Sequence, residues 1–164
     1  MVITFCGHAQ FAKTVEYERK ILAFLEEKIG DQSAEFYLGG YGVFDALAYD
    51  CCKTYKASHP NVSLVFVTPY ITVEYQRNHL ESLKAEYDAI LYPEIEGKPL
   101  KVAIAYRNRW MVEKADYVVC GIDHSWGGAY TTYRYAKQKK KRYSILLTKS
   151  FDFSEKSPVN YCNL

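Results

Sequence analysis

The sequence predicts a Rossmann-like α/β domain with three layers, in which helices cover both faces of a mainly parallel five-stranded sheet. Short apolar runs alternate with longer segments whose apolar residues recur at helical spacing, and this alternation is typical of a parallel sheet. The run at residues 62–67 is almost wholly apolar and rich in β-branched residues, which suits a strand buried on both faces. A length of 164 residues favours a single domain.

The first half of the chain contains three predicted strands with two helices between them. In chain order these five elements cover residues 2–6, 13–29, 35–38, 43–57 and 62–67. Glycine follows each of the first two strands, and Gly30 ends the first helix. Each crossover between parallel strands is therefore expected to contain a helix and to be right-handed.

The second half predicts three helices and two strands. In chain order these elements cover residues 72–88, 100–115, 117–121, 128–140 and 143–147. Residues 93–99 form a turn-rich connection, and the tail at about 149–164 has no clear period. We therefore expect residues 1–164 to be one domain with an irregular tail.

The charge balance argues against two classes of function. Lys and Arg total 21 and Asp and Glu total 19, so the net charge is +2. A dedicated nucleic-acid or membrane-surface binder usually carries a larger positive charge, so we expect neither partner. No apolar run approaches the roughly 18 residues of a membrane span, and we expect no signal peptide at the amino terminus. A cytoplasmic location is the resulting expectation.

The cysteines favour reduced thiols. The chain has 5 of them, an odd number, and no CxxC motif. This spacing indicates neither a disulfide framework nor a zinc site, and we expect no metal ion and no cofactor. Cys51 and Cys52 fall within a predicted helix, where core packing is the simpler interpretation.

A ligand of a parallel sheet sits beyond the carboxyl ends of the strands, where the strand order reverses. Gly7 and His8 follow the first strand at this edge. Gly7 is expected to let the backbone approach a ligand closely, and His8 to lie at the mouth of the site. Alternatively, Gly7 makes a turn and His8 is solvated.

Two glycine-rich turns lead into helices at the same edge. The residues that we expect to contact a ligand there are Gly39, Gly40, Gly42, Asp45, Gly127, Gly128 and Thr131. Free backbone N–H groups at a helix amino terminus attract an anion such as phosphate. Asp45 either binds a ribose hydroxyl or simply favours the first helical turn. Asp123, His124 and Ser125 are sequence neighbours, which indicates ordinary loop chemistry and not a catalytic triad.

Arg107 and Asn108 lie on the predicted helix at residues 100–115. Asn108 interrupts an apolar stripe that contains Ile104 and Met111, so we expect it to be buried and hydrogen-bonded. Its partner is either nearby backbone or a ligand. Arg107 is expected to clamp a phosphate through two hydrogen bonds.

Taken together, four stretches in chain order resemble the SLOG superfamily. This Rossmann-like group joins the Smf (DNA-processing protein A) and Lonely Guy families, and the likeness is greatest to its small stand-alone members. The stretches are residues 4–8, 39–48, 106–116 and 126–131. The resemblance implies a nucleotide or nucleotide-derived ligand in the cleft at the strand ends.

Lonely Guy enzymes cleave the base from a nucleoside monophosphate, and their PGGxGTxxE motif falls on residues 126–134. Gly127, Gly128 and Thr131 match that motif, whereas Arg134 occupies the position of the catalytic Glu. Arginine cannot replace a carboxylate that handles protons or stabilises a cationic sugar. We therefore do not expect Lonely Guy chemistry in this chain.

Three functions follow from these observations. The first is a nucleotide-binding sensor or regulatory module without catalysis. The second is an N-glycoside hydrolase or transferase acting on nucleotides, for which Asp45 and Glu113 are the foremost carboxylates, with Glu74 and Asp123 behind them. The third is a single-stranded nucleic-acid binder using tyrosines and the basic residues 137–142, although these cations also suit a helix carboxyl terminus. We also expect a homodimer, because parallel α/β domains of this size often dimerise through helices.

Overall fold

A parallel six-stranded sheet forms the centre of the protein, with the strand order β4-β3-β2-β1-β5-β6. The computed structural model describes residues 1–147, so the expected irregular tail at about 149–164 lies outside the described residues. The strands are β1 (Val2–Gly7), β2 (Ala34–Leu38), β3 (Val62–Val67), β4 (Ala89–Leu91), β5 (Tyr117–Ile122) and β6 (Arg142–Leu147). Every neighbouring pair is parallel, which confirms the predicted fold class.

Helices connect the strands. They are α1 (Val15–Ile29), α2 (Val43–Ser58), α3 (Val73–Glu86), α4 (Ala103–Lys114) and α5 (Gly127–Gln138). The helix predicted at residues 100–115 begins later than expected, because a short 3-10 turn at Leu100–Val102 precedes α4. Among the described helices, none combines the length and the apolar character needed to cross a membrane.

The prediction of five strands is wrong by one. The additional strand, β4, has only three residues, Ala89–Leu91, and pairs with the end of β3 at the edge of the sheet. Asp88 holds it in place, because its Oδ2 accepts a hydrogen bond of 2.7 Å from the Leu64 amide. A three-residue strand is too short to show a periodic pattern, so the sequence offered no signal for it.

The core has two parts, one on each face of the sheet. On one face, α1 and α2 bury residues that include Phe24, Phe36, Leu47, Cys51 and Cys52. On the other face, residues of α4 and α5 pack against β5. The burial of Cys51 and Cys52 confirms that they are packing residues. By contrast, α3 has no buried residue.

Two glycines in the central strands leave room for one aromatic side chain. Gly7 of β1 and Gly121 of β5 are paired in the sheet, and Phe44 of α2 packs against both. A Cβ added at Gly7 would lie 2.1 Å from Phe44 Cγ, and one added at Gly121 would lie 2.2 Å from Phe44 Cδ2. Gly7 therefore serves helix packing, in addition to lining the cleft described next.

Candidate functional site

A cleft of about 420 Å³ opens at the carboxyl ends of β1 and β5. This is the point where the strand order reverses, since β2 to β4 lie on one side of β1 and β5 and β6 lie on the other. The predicted site residues that line it are Gly7, His8, Gly39, Asp45, Arg107, Asn108, Gly127 and Gly128. The unpredicted lining residues are Phe5, Cys6, Ala9, Gln10, Tyr41, Ile104, Met111, His124, Trp126 and Ala129.

Arg107 is a buried residue of α4, with 1% of its surface exposed. Its Nη1 donates hydrogen bonds of 2.8 Å to the carbonyl oxygens of Gly39 and Val67. The guanidinium therefore ties α4 to the ends of β2 and β3, and the phosphate clamp at Arg107 stays a prediction. Within the described residues, the buried Nε of Arg107 has no hydrogen-bond partner.

Asn108 is half-buried, so the expectation of a buried amide on this helix is wrong by one position. Its Nδ2 lies 3.5 Å from Thr132 Oγ1, at the limit of a hydrogen bond. Arg107 occupies the buried face because carbonyl oxygens and a carboxylate surround its charge. An apolar stripe in a sequence cannot show such partners, since they come from other elements.

Asp45 supplies that carboxylate from the first turn of α2. Its Oδ2 accepts a hydrogen bond of 2.8 Å from the Tyr41 amide, and the residue is 8% exposed. Burial raises the pKa of Asp45 to about 6, although the Tyr41 amide and the charge of Arg107 act in the opposite direction. Gly39 lies between the two charged groups, since a Cβ there would be 2.7 Å from Arg107 Nη1.

The first glycine turn uses its N–H groups within the protein. The Tyr41 amide bonds to Asp45, and the Val43 amide donates to the Ala9 carbonyl oxygen at 2.9 Å. Gly42 has a φ of +93° and approaches Ala9 so closely that an added Cβ would lie 2.5 Å from its Cα. Gly40 and Gly42 therefore shape the turn, and they lie outside the cleft lining.

The second glycine turn is open. Among residues 1–147, no neighbouring element lies within 4 Å of a Cβ added at Gly127 or Gly128, and α5 begins without a side-chain hydrogen bond at its cap. The first N–H groups of a helix have no partner within the helix. Thr131 does not line the cleft, because its hydroxyl donates to the Gly127 carbonyl oxygen at 2.9 Å on the exposed side of α5.

Three aromatic rings stack beside this turn, and sequence reasoning identified only one of them. The rings of His8 and His124 have centroids 3.5 Å apart, and the ring of Trp126 follows at 4.0 Å from His124. Trp126 is 70% exposed, whereas His8 is 5% exposed. Burial lowers the pKa of His8, although the nearby Asp123 carboxylate opposes this effect. The sequence analysis assigns His124 to an ordinary loop. Its position shortly after the end of β5, at the edge of the sheet where a ligand is expected, could have indicated a site residue.

Three potential metal ligands lie close together at His8, Asp123 and His124. The cysteine spacing, by contrast, led us to expect no metal ion. One ligand atom from each of the three residues lies within 4.8 Å of the other two. His8 Nε2 lies 3.5 Å from Asp123 Oδ1 and 3.2 Å from the His124 carbonyl oxygen. Asp123 Oδ1 also contacts His124 Nδ1.

Glu113 and Glu74, two of the other predicted carboxylates, lie away from the cleft. Glu113 is exposed on α4, where it accepts a hydrogen bond from the Tyr135 hydroxyl. Glu74 is exposed in the first turn of α3, and neither carboxylate lines the cleft. Arg134, at the position of the Lonely Guy glutamate, is exposed on α5. Of the carboxylates considered, Asp45 alone lines the cleft.

The chain resembles solved structures in fold, although no protein-family model and no curated protein matches it. One similar structure is DNA processing protein A from Helicobacter pylori, described for its single-stranded DNA binding mode. The TM-score is 0.62 at 17% identity, over 92% of this chain and 66% of that chain. The second, DNA processing protein A from Streptococcus pneumoniae, gives a TM-score of 0.61 at 11% identity, over 92% of this chain and 51% of that chain.

The expectation that excluded a nucleic-acid partner is contradicted by this comparison, since a protein of the same fold is described for binding single-stranded DNA. That expectation rested on the net charge, and a net charge does not report where the cations lie. The strand order, the cleft between β1 and β5 and these similarities lead to one conclusion. The chain has the Rossmann-like fold that is seen in DNA processing protein A.

Proposed function

We propose that the protein binds a nucleotide or nucleotide derivative in the cleft and acts as a sensor or regulatory module. The observation that carries this proposal is the open amino terminus of α5. Gly127 and Gly128 line the cleft, and no described residue occupies the space above their α-carbons. Unpaired amides at the positive end of a helix dipole suit a phosphate group.

The rest of the cleft suits the remaining parts of a nucleotide. Trp126 precedes the glycines and exposes a large ring on which a base can stack. Phe5, Ile104 and Met111 contribute apolar lining. The volume of about 420 Å³ falls within the range of about 300–1,000 Å³ that is usual for small-molecule sites.

N-glycoside hydrolysis is the competing activity, and Asp45 is the carboxylate that would perform it. The group is buried at the cleft, and its pKa of about 6 suits a general acid. Its hydrogen bond to Tyr41 and its proximity to Arg107 favour a structural role instead. A base-release assay over purine and pyrimidine monophosphates decides: base release that D45N abolishes would replace the sensor proposal with the glycosidase.

Calorimetric titration with nucleoside monophosphates tests the binding proposal on the purified protein, G128V and the control G97V. Both glycines lack neighbours within 4 Å of an added Cβ, but only Gly128 lines the cleft. We expect G128V to weaken binding at least about tenfold, a cost of about 1.4 kcal/mol. G97V should bind as the unchanged protein does. Equal affinity in G128V, or no binding by any of the three proteins, would contradict the proposal.

Single-stranded DNA binding is the second candidate, favoured by the similarity to DNA processing protein A. The outer surface of α4 and α5 carries a set of cations over tyrosine rings. The Arg109 guanidinium lies 5.8 Å from the Tyr106 ring and 5.5 Å from the Tyr135 ring. Lys139 lies 5.4 Å from the Tyr135 ring, although Glu113 shares this surface. Cations and aromatic faces together suit phosphates and bases.

Fluorescence anisotropy with an oligothymidylate distinguishes the two candidates. Binding at the α4–α5 surface should fall steeply with salt, weaken in R109A and persist in G128V. Binding that G128V removes and R109A spares would place the DNA in the cleft.

The expected homodimer and the expected cytoplasmic location stay predictions. Sedimentation velocity is the measurement that tests the homodimer.

A further inference from the structure

His8, Asp123 and His124 meet at the mouth of the cleft because β1 and β5 are parallel neighbours. His8 directly follows β1, and Asp123 directly follows β5. The backbone fixes this arrangement, since Gly7 pairs with Gly121 and the His8 amide donates to the Gly121 carbonyl oxygen at 3.1 Å. The three side chains therefore start from rigid strand ends.

The arrangement leaves a buried carboxylate oxygen that contacts two imidazoles but forms no hydrogen bond with the described residues. Asp123 Oδ1 is buried and has no hydrogen-bond partner among the described residues, although both imidazoles contact it. A buried carboxylate oxygen without a partner carries a large desolvation cost. A cation held between the carboxylate and the two imidazole nitrogens would offset that cost.

We propose that His8 Nε2, Asp123 Oδ1 and His124 Nδ1 bind a divalent transition-metal ion of the Zn²⁺ class. One ligand atom from each of the three residues lies within 4.8 Å of the other two, and both His8 Nε2 and His124 Nδ1 contact Asp123 Oδ1. The 3.5 Å between His8 Nε2 and Asp123 Oδ1 is close to the roughly 3.3 Å between two ligands of a tetrahedral ion with bonds of about 2.0–2.1 Å. Movement of the half-buried His124 ring, which stacks on His8, completes the set.

The ligand set selects the class of metal. Imidazole nitrogens suit Zn²⁺, Co²⁺, Ni²⁺ and Fe²⁺ better than Mg²⁺ or Ca²⁺, which prefer oxygen ligands. Three protein ligands leave a coordination position open, as in zinc sites that bind a further molecule. His8 and His124 line the cleft, so this position faces the space beside Gly127 and Gly128. The site goes beyond the proposed function, because it binds its ion without a nucleotide.

The test is a Co²⁺ titration of the metal-depleted full chain, without nucleotide, followed by visible d–d absorption and then by Zn²⁺ displacement. The chain has 4 histidines, which provide a matched control. H124A and D123N remove proposed ligands, whereas the double variant H59Q/H79Q removes the two histidines outside the cluster. Circular dichroism verifies that each variant is folded.

We expect a saturating signal in the unchanged protein and in H59Q/H79Q, and at least a tenfold loss of Co²⁺ affinity in H124A and in D123N. Zn²⁺ should also raise the midpoint of thermal unfolding of the unchanged protein but not of D123N. No saturable Co²⁺ signal in the unchanged protein would overturn the proposal. The same conclusion would follow if H59Q/H79Q lost the signal and H124A kept it. Nucleotide affinity is measured separately, so failure of either proposal is recognised independently.

Discussion

At the scale of single residues, Phe44 determines how closely α2 approaches the centre of the sheet. Its ring occupies the space that a side chain at Gly7 or Gly121 would need, and it is fully buried. The sequence shows these two glycines at strand ends, where a turn or a ligand is the usual interpretation. Their packing function depends on a residue from a distant part of the chain, so it became visible only in the structure.

We predict that G121A destabilises the fold by about 1–3 kcal/mol, because a Cβ at this position lies 2.2 Å from a ring atom of Phe44. Urea unfolding measures the free energy of G121A, F44A and the double variant. The two substitutions should couple, since F44A removes the atoms that the new methyl group meets. Additive effects, or a change in G121A below about 0.5 kcal/mol, would show that the ring moves aside freely.

At the scale of elements, α1 and α3 begin alike but are packed differently. Thr14 caps α1 by accepting a hydrogen bond of 3.3 Å from the Tyr17 amide, and Thr72 caps α3 by accepting one of 3.2 Å from the Tyr75 amide. The helix α1 buries five residues that include Ile21 and Leu25, whereas α3 buries none. A threonine cap therefore begins both helices, although only α1 contributes buried residues to the core.

We predict that T14A destabilises the whole fold, whereas T72A destabilises α3 alone. T14A should lower the global free energy of unfolding by about 0.5–2 kcal/mol, the usual cost of a lost helix cap. T72A should change the global value by less than about 0.5 kcal/mol, while amide exchange within α3 becomes faster. Urea unfolding and hydrogen exchange provide the two measurements. Equal global losses would mean that α3 unfolds together with the core.

At the scale of the whole molecule, a buried charged pair crosses the layers of the fold. Asp45 lies on α2, on one face of the sheet. Arg107 lies on α4, and the hydrogen bonds of its guanidinium reach the ends of β2 and β3. Burial raises the pKa of Asp45 from 3.8 to about 6, and Arg107 and Tyr87 are the other titratable groups that interact with it. The folded state therefore holds a proton on Asp45 that the unfolded state releases, so stability declines as the pH rises through this window.

We predict that the free energy of unfolding of the unchanged protein falls relative to D45N by about 2 kcal/mol between about pH 4 and pH 7. Asn keeps an oxygen that can accept the Tyr41 hydrogen bond but has no charge to desolvate. Groups other than Asp45 titrate in both proteins, so their effects cancel in the difference. A difference that is independent of pH would mean that Asp45 stays ionised in the folded state throughout this range.

Local patterns were sufficient for much of the fold and for the location of the cleft. Apolar runs and helical spacing predicted five of the strands, and glycines after strands indicated the edge where Gly7, His8, Gly39, Gly127 and Gly128 now line one cleft. These signals succeed because helix periodicity and glycine geometry act within a few residues of the chain. Four motifs in order also predicted a fold like that of DNA processing protein A.

By itself, the sequence determined the alternation of strands and helices and the positions of the glycine turns at the cleft. Tertiary structure alone decided which polar groups those turns leave free. The sequence cannot show that the Val43 amide donates to the Ala9 carbonyl oxygen. This hydrogen bond closes the first glycine turn, whereas the turn at Gly127 and Gly128 stays open. Likewise, Arg107 is buried whereas Asn108 is not. The carbonyl oxygens that accept hydrogen bonds from Arg107 lie at the ends of β2 and β3 and make its burial possible. Hydrogen-bond partners and buried charges depend on distant elements, and only packing brings those elements together.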